Sequence, residues 1–241
     1  MSFSNTVARL LGKTPEYCAA VLVAAGSSSR MAGQDKLLSS LGGMTVLERS
    51  VLALEENELV REIVVVTREE LLEKVSLLLS ARGFKKVTMI IPGGKTRAES
   101  VEAGLDHVSK KTALVAIHDA ARPLVSQRII TETVRKAAQT RAAAPAIPVK
   151  DTIKVAQQRI VADTPDRSKL FAVQTPQVFD FDLLRAAYIK AKEDSILLTD
   201  DCSAAEHLGL NVFLTQGDER NLKITTPLDL RIAKLFLEDE A

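Results

Sequence analysis

The strongest constraint on this chain is an alternation. Short apolar runs rich in β-branched residues recur at 20–23, 62–66, 87–91, 113–117 and 142–149, and the segments between them, 46–56, 69–81, 97–108 and 127–139, repeat apolar residues every three or four positions. Strands separated by helical crossovers pair parallel, and a parallel sheet has to be covered on both faces. The pattern therefore predicts an α/β, Rossmann-like, mostly parallel sheet with helices on both sides. Ligands of such sheets sit beyond the carboxyl ends of the strands. With 241 residues, 46% of them hydrophobic, the chain can bury one large core, so a single domain over 18–241 is expected behind an extension at 1–17.

The alternation breaks at about 150–172, where polar and apolar residues alternate among charges and Pro165; this stretch reads as a protruding β-arm. Beyond it the spacing predicts helices at 181–192 and 200–208, a short strand at 212–214, and a closing helix at 227–237 with Thr226 as its N-cap and Pro227 in its first turn.

Three strand ends carry polar chemistry. The first reads VLVAAGSSSRMAGQDKLL, from Val21 to Leu38. Ala24, Ala25, Gly26 and the serines after them leave the backbone bare, so its N–H groups can face phosphate oxygens, with Arg30 and Lys36 adding charge; a tight strand-to-helix turn would use the same small residues. Neither common phosphate fingerprint is present, because the dinucleotide pattern needs glycine where Ser28 and Met31 stand and the P-loop needs Gly-Lys-Ser/Thr. A NAD-dependent dehydrogenase is thereby disfavoured.

The second, IPGGKTRAESV, ends a strand in Gly93 and Gly94 and opens a helix bearing Arg97 and Ser100. Bare backbone there can lie against a planar base, while Thr96 and Glu99 have the spacing of a capping box. The third, VAIHDAARPLV, closes an apolar strand on His118 and Asp119, followed by Arg122. Asp119 is placed to hold Mg²⁺ together with phosphate oxygens, or else to form an ion pair with Arg122; His118 reads as a packed strand-end residue. Later, NLKITTPLDL sets Lys223 inside an expected short strand, where alternation points it to solvent and a role in a site would turn it inward.

The ordered set AAGSSSRM, GGKTRAESV, HDAARP, DTIK, DR, QTPQVF, TDD and NLKITTPLDL resembles the 2-C-methyl-D-erythritol 4-phosphate cytidylyltransferase family, over nearly the whole chain. The resemblance implies the nucleotidyltransferase fold and transfer of a cytidylyl group from CTP to methylerythritol phosphate in non-mevalonate isoprenoid synthesis. It implies that Arg30, Lys36 and Lys223 act on the phosphates, that Asp119 binds Mg²⁺ and nucleotide, and that Ala24, Ala25, Gly26, Gly93, Gly94 and Ser100 hold the cytosine. Thr152 and Arg167, on an arm that crosses a homodimer, would hold methylerythritol phosphate, with Arg122 and Thr175 as further pocket residues. The chain departs from the family's usual pattern in having Ser28 for a second loop glycine and Asp35-Lys36-Leu37 for Pro-Lys-Gln. Two other readings share much of this pattern: a ribitol 5-phosphate cytidylyltransferase and a CTP-binding module without turnover.

Composition sets the remaining bounds. With 32 basic and 31 acidic residues there is no global field for nucleic acid or membrane surfaces, so any anion site is local. Cys18 and Cys202 are the only cysteines and sit in apolar contexts, which predicts reduced core thiols and a cytoplasmic protein. No apolar run is long enough for a membrane span, and the first residues lack a signal-peptide pattern.

Overall fold

The fold was examined in a computed structural model, in which residues 17–26 and 35–238 are described. Strand β1 (Cys18–Ala24) is flanked in parallel by β4 (Val60–Thr67) and β6 (Leu114–Asp119), and β5 (Val87–Pro92) extends the sheet beyond β4. A two-residue ribbon, β2 (Ser40–Leu41) and β3 (Met44–Thr45), precedes helix α1 (Val46–Glu55). Helices α2 (Leu72–Arg82), α3 (Arg97–His107) and α4 (Gln127–Thr140) provide the crossovers, and β7 (Ala142–Pro148) follows. The arm is a hairpin of β8 (Val155–Gln157) and β9 (Ile160–Asp163). The chain then runs through β10 (Phe171–Val173), β11 (Gln177–Asp180), α5 (Phe181–Glu193), α6 (Asp201–His207), β12 (Phe213–Gln216) and α7 (Pro227–Glu238).

The main sheet has the order β10-β7-β11-β6-β1-β4-β5, with β12 parallel to β7 at the far side. The expected α/β architecture is borne out. Two strands of this sheet escaped the pattern: β10, at the end of the stretch assigned to the arm, pairs antiparallel with β7, and β11 inserts antiparallel between β6 and β7, too short and too polar at Gln177 to register as an apolar run.

Alternation along β1 divides the core. Cys18, Ala20, Leu22 and Ala24 face one layer, packed by Val46, Leu47, Val51 and Leu54 of α1 and by Ile129, Ile130 and Val134 of α4. Ala19 and Val21 face the other, packed by Val101 and Leu105 of α3, Leu184 and Tyr188 of α5, and Cys202 of α6. Both cysteines are buried and neither forms a disulfide. Helix starts follow local chemistry: Thr45 with Glu48, Thr96 with Glu99 and Asp200 with Ser203 form reciprocal capping boxes. At α7 the expected Thr226 cap is present, its Oγ1 accepting from Asp229 N at 3.3 Å while Asp229 Oδ2 accepts from Thr226 N at 2.8 Å.

The register brings the strand ends together. Ala24 lies opposite Thr67, Thr67 opposite Pro92, and Val23 opposite Asp119, so the segments that leave β1, β5 and β6 emerge at one edge of the sheet. Among the described residues no helix is long and apolar enough to cross a membrane.

Candidate active site

At that edge opens a cavity of about 260 Å³ lined by Ala24, Ala25, Gly26, Lys36, Gly94 and Ser100, with Arg97, Asp119 and Lys223 at its polar end. The sequence segments expected to converge do so. Arg30 and Ser28 lie outside the described residues, as does most of the extension at 1–17.

Each wall has a local cause. Lys36 opens a short 3₁₀ turn, Lys36–Leu38, whose N-cap is Asp35: Oδ1 accepts from Leu37 N at 2.9 Å and Oδ2 pairs with Arg68, at the end of β4. Where the family's usual pattern has proline before the lysine, this carboxylate fixes the turn. Gly93 does not line the cavity but closes its wall. A Cβ there would stand 2.6 Å from Ala25 Cβ and 2.7 Å from Ser100 Oγ, so only glycine lets the two segments approach. Ser100 Oγ donates to Thr96 O at 2.9 Å and accepts from Gly94 N at 3.2 Å, which joins the glycine pair to the first turns of α3.

Asp119 is the electrostatic centre. Its Oδ2 is 2.8 Å from Lys223 Nζ and 3.8 Å from Arg122 Nε, and its Oδ1 is 3.6 Å from Arg97 Nε. Burial alone would raise this carboxyl, but Lys223, then Arg97 and Arg122, hold it down at about 2. The ion pair expected with Arg122 is present, and Asp119 also lines the cavity. Arg122 is partly buried, donates from Nη1 to Asn221 O at 2.6 Å, and is lowered from the ordinary arginine range by loss of solvent around it. It supports Asp119 from behind and does not line the cavity.

Lys223 corrects one sequence expectation, since it does not lie in a strand, and of the two orientations left open it takes parts of both: its side chain lines the cavity and stays 41% exposed. Ile224 is fully buried and bonds through its N–H to Ala121 O at 2.8 Å, so Lys223 points the opposite way, and what lies there is the cavity.

His118 is a packed strand-end residue, as expected. It is fully buried, and burial pushes its imidazole down to about 4. Nδ1 lies 2.9 Å from Thr175 Oγ1, which accepts from Asp119 N at 3.1 Å, so the hydroxyl donates to Nδ1 and the ring proton sits on Nε2, 3.3 Å from Arg122 O. Thr175 therefore fixes the backbone of Asp119 and stands behind the cavity wall.

Thr152 and Arg167 are exposed on the arm and do not line this cavity; Arg167 Nη1 donates to Lys150 O at 2.7 Å.

The family model for 2-C-methyl-D-erythritol 4-phosphate cytidylyltransferase (IspD) matches residues 18–239. The chain belongs to that family. It is 46% identical over 221 residues to the 2-C-methyl-D-erythritol 4-phosphate cytidylyltransferase of Caldanaerobacter subterraneus subsp. tengcongensis, covering 90% of this chain and 97% of that protein. The enzyme of the same name from Halalkalibacterium halodurans is 41% identical over 91% of this chain and 96% of its own length. Among solved structures, 4-diphosphocytidyl-2C-methyl-D-erythritol synthase from Anaerococcus prevotii superposes with a TM-score of 0.82 at 28% identity, over 93% of this chain and 97% of that one. As a member of this family the chain is a nucleotidyltransferase enzyme.

Sequence reasoning gave Arg97 no site role and missed its support. Arg97 lines the cavity and donates from Nη1 and Nη2 to Asp201 at 3.0 and 2.6 Å. Burial would lower Arg97, yet Asp201 more than offsets it and holds the guanidinium above the ordinary arginine range. Asp201 is fully buried and also accepts from Tyr188 Oη at 2.6 Å. The signal available was the second acidic residue of TDD, which a helix cap does not require, since Asp200 already caps α6.

Proposed function

We propose that this enzyme transfers the cytidylyl group of CTP to 2-C-methyl-D-erythritol 4-phosphate, releasing pyrophosphate and forming the CDP-alcohol of the non-mevalonate isoprenoid route. The observation that carries the reading is that Lys36, the paired Asp119 and Lys223, and the small residues Ala24, Ala25 and Gly26 line one cavity. Cations beside bare backbone and one ionised carboxylate suit a nucleoside triphosphate better than a neutral ligand.

In the reaction a phosphate oxygen of the acceptor attacks the α-phosphorus of CTP in line, a new P–O bond forms, and the bond to pyrophosphate breaks with its electron pair. No covalent enzyme intermediate is required. The residues act by position and charge: Arg30, Lys36 and Lys223 neutralise the charge that gathers on the α-phosphoryl oxygens, where each preorganised donor is worth about a hundredfold or more in rate. The base rests against Ala24, Ala25 and Gly26 and is read from Gly94 and Ser100, with Gly93 closing the wall behind them. Ser100 and Gly94 both line the cavity, and the Ser100 hydroxyl, its proton given to Thr96 O and one lone pair to the Gly94 N–H, keeps a second lone pair for a donor on the base.

Mg²⁺ fits Asp119, a hard oxygen donor kept ionised at the cavity, since this ion favours one or two carboxylates completed by phosphate oxygens. No cluster of three or more metal-binding side chains occurs among the described residues, in keeping with an ion held jointly by Asp119 and substrate. When bound, the metal would neutralise phosphate charge.

Methylerythritol phosphate is held in this reading by Thr152 and Arg167 on the arm of a second copy, with Arg122 and Thr175 shaping the wall behind Asp119. Two features support the homodimer. Thr152 and Arg167 lie off their own chain's cavity, and the arm leaves Ile153, Val155, Ile160 and Val161 exposed by 40–71%, an apolar surface suited to burial against a partner. A cytoplasmic setting agrees with the two buried cysteines, neither in a disulfide. Pyrophosphate release from CTP, methylerythritol phosphate and Mg²⁺ tests the assignment; a folded, CTP-binding protein that releases none refutes it.

A further inference from the structure

Arg97 has one guanidinium and two carboxylates to serve. Its two terminal nitrogens are taken by Asp201, in the paired fork geometry that arginine and carboxylate favour, and only its Nε edge faces Asp119, at 3.6 Å. Asp201 is itself held at two further points: the Tyr188 hydroxyl donates to its Oδ1 at 2.6 Å and its own N–H donates to Gln177 Oε1 at 3.0 Å, an oxygen that also accepts from the N–H of Cys202 at 3.1 Å. A fully buried carboxylate built in this way from β11, α5 and α6 fixes where the Arg97 fork points.

We propose that Asp201, steadied by Tyr188, is a positioning residue for cytidylyl transfer: it commits the Arg97 fork away from Asp119 and so leaves Asp119 to Lys223 and the incoming nucleotide. Without Asp201 the nearest carboxylate for the freed fork is Asp119, and a bidentate Arg97–Asp119 pair would withdraw both oxygens from the cavity. The role rests on the cytidylyltransferase reading, and its mark is that Asp201 acts only through Arg97.

The test is a cycle of Asp201→Asn, Arg97→Gln and the double variant, read in CTP affinity by calorimetry with Mg²⁺ and in kcat with methylerythritol phosphate, below the lowest melting temperature of the four proteins. Loss of such an outer partner costs about 10- to 100-fold, so Asp201→Asn should weaken CTP binding and lower kcat by at least about tenfold. In the Arg97→Gln background the same change should alter both by less than about twofold, within the scatter of independent sites. An equal loss in both backgrounds would overturn the proposal and leave Asp201 a structural residue. If Asp201→Asn does not fold, Tyr188→Phe takes its place in the cycle, with a smaller loss and the same dependence on Arg97 expected, and equal losses again counting against it. Calorimetry needs no turnover, so a wild-type protein inactive on methylerythritol phosphate would sink the functional reading while the binding cycle still decides this one.

Discussion

Replacing Gly104 by alanine adds one methyl group at the tightest helix-to-sheet contact behind the active site. Gly104 lies on α3, and a Cβ there would stand 2.3 Å from Val21 Cγ1 and 3.1 Å from both Val21 Cγ2 and Val66 Cγ2. Carbon atoms settle at about 3.5–4.0 Å, so the first contact is short by more than about 1 Å. Val21 cannot yield easily, because it is fully buried in the middle strand β1, between β4 and β6, with a χ1 stiffened by β-branching. The helix must ride outward instead. Overpacking of this kind costs about 1–3 kcal/mol, against about 1 kcal/mol gained from alanine's better helix propensity. The net expectation is a destabilisation of about 1 kcal/mol. The larger effect falls on catalysis, since the first turns of α3 carry Arg97 and Ser100, and a displacement of about 1 Å at a site can cost up to about 100-fold in rate. Urea unfolding and steady-state kinetics measure the two effects. Val21→Ala makes room for the methyl, so Gly104→Ala should cost nothing further in that background. Unchanged stability and kcat in the single variant, or the same penalty with and without Val21, would refute the reasoning.

Lys223→Ala should lower kcat by about a hundredfold or more without loss of fold, as for removal of one preorganised donor, and near-normal turnover in a folded variant would remove Lys223 from the mechanism. His118 takes up a proton at about 4 in the folded protein against 6.5 ordinarily, so it stays neutral when folded while the unfolded chain charges first as pH falls. Stability should therefore be full above pH 6.5 and decline between 6.5 and about 4, by about 3 kcal/mol at about 1.4 kcal/mol per pH unit, and His118→Gln should flatten that slope in unfolding curves recorded without nucleotide or metal. Asp35→Ala removes the cap that sets Lys36, at about 1 kcal/mol, and should raise the KM for CTP, whereas Asp35→Asn retains a capping oxygen and should fall between it and the wild type.

The parallel strands and their crossover helices were legible because each is long enough for its period to repeat, and fully buried strands such as β1 have almost no polar interruption. β11 was not legible: four residues give no period, and its place between β6 and β7 is set by long-range pairing alone. In the site, Lys36, Gly94, Ser100 and Asp119 were readable from strand ends followed by small or charged residues. Lys223 could be read only halfway, since alternation reports the side a residue faces but not whether that side holds water or a cavity. The Arg97–Asp201–Tyr188 cluster joins residues as far as 104 positions apart; the spare acid of TDD marks Asp201, but neither composition nor spacing names Arg97 or Tyr188 as its partner. Asp35 is instructive in the other direction. In sequence it breaks the Pro-Lys-Gln pattern beside Lys36, yet its carboxylate caps the very turn that presents the lysine.

The most direct test of the account is the ratio of kcat/KM for methylerythritol phosphate to that for ribitol 5-phosphate, with CTP and Mg²⁺ fixed and pyrophosphate release as the readout. The account predicts turnover with methylerythritol phosphate and a ratio far above one. Turnover confined to ribitol 5-phosphate would contradict the assigned acceptor while keeping the same phosphate chemistry, and CTP binding with no release from either would contradict the enzyme itself.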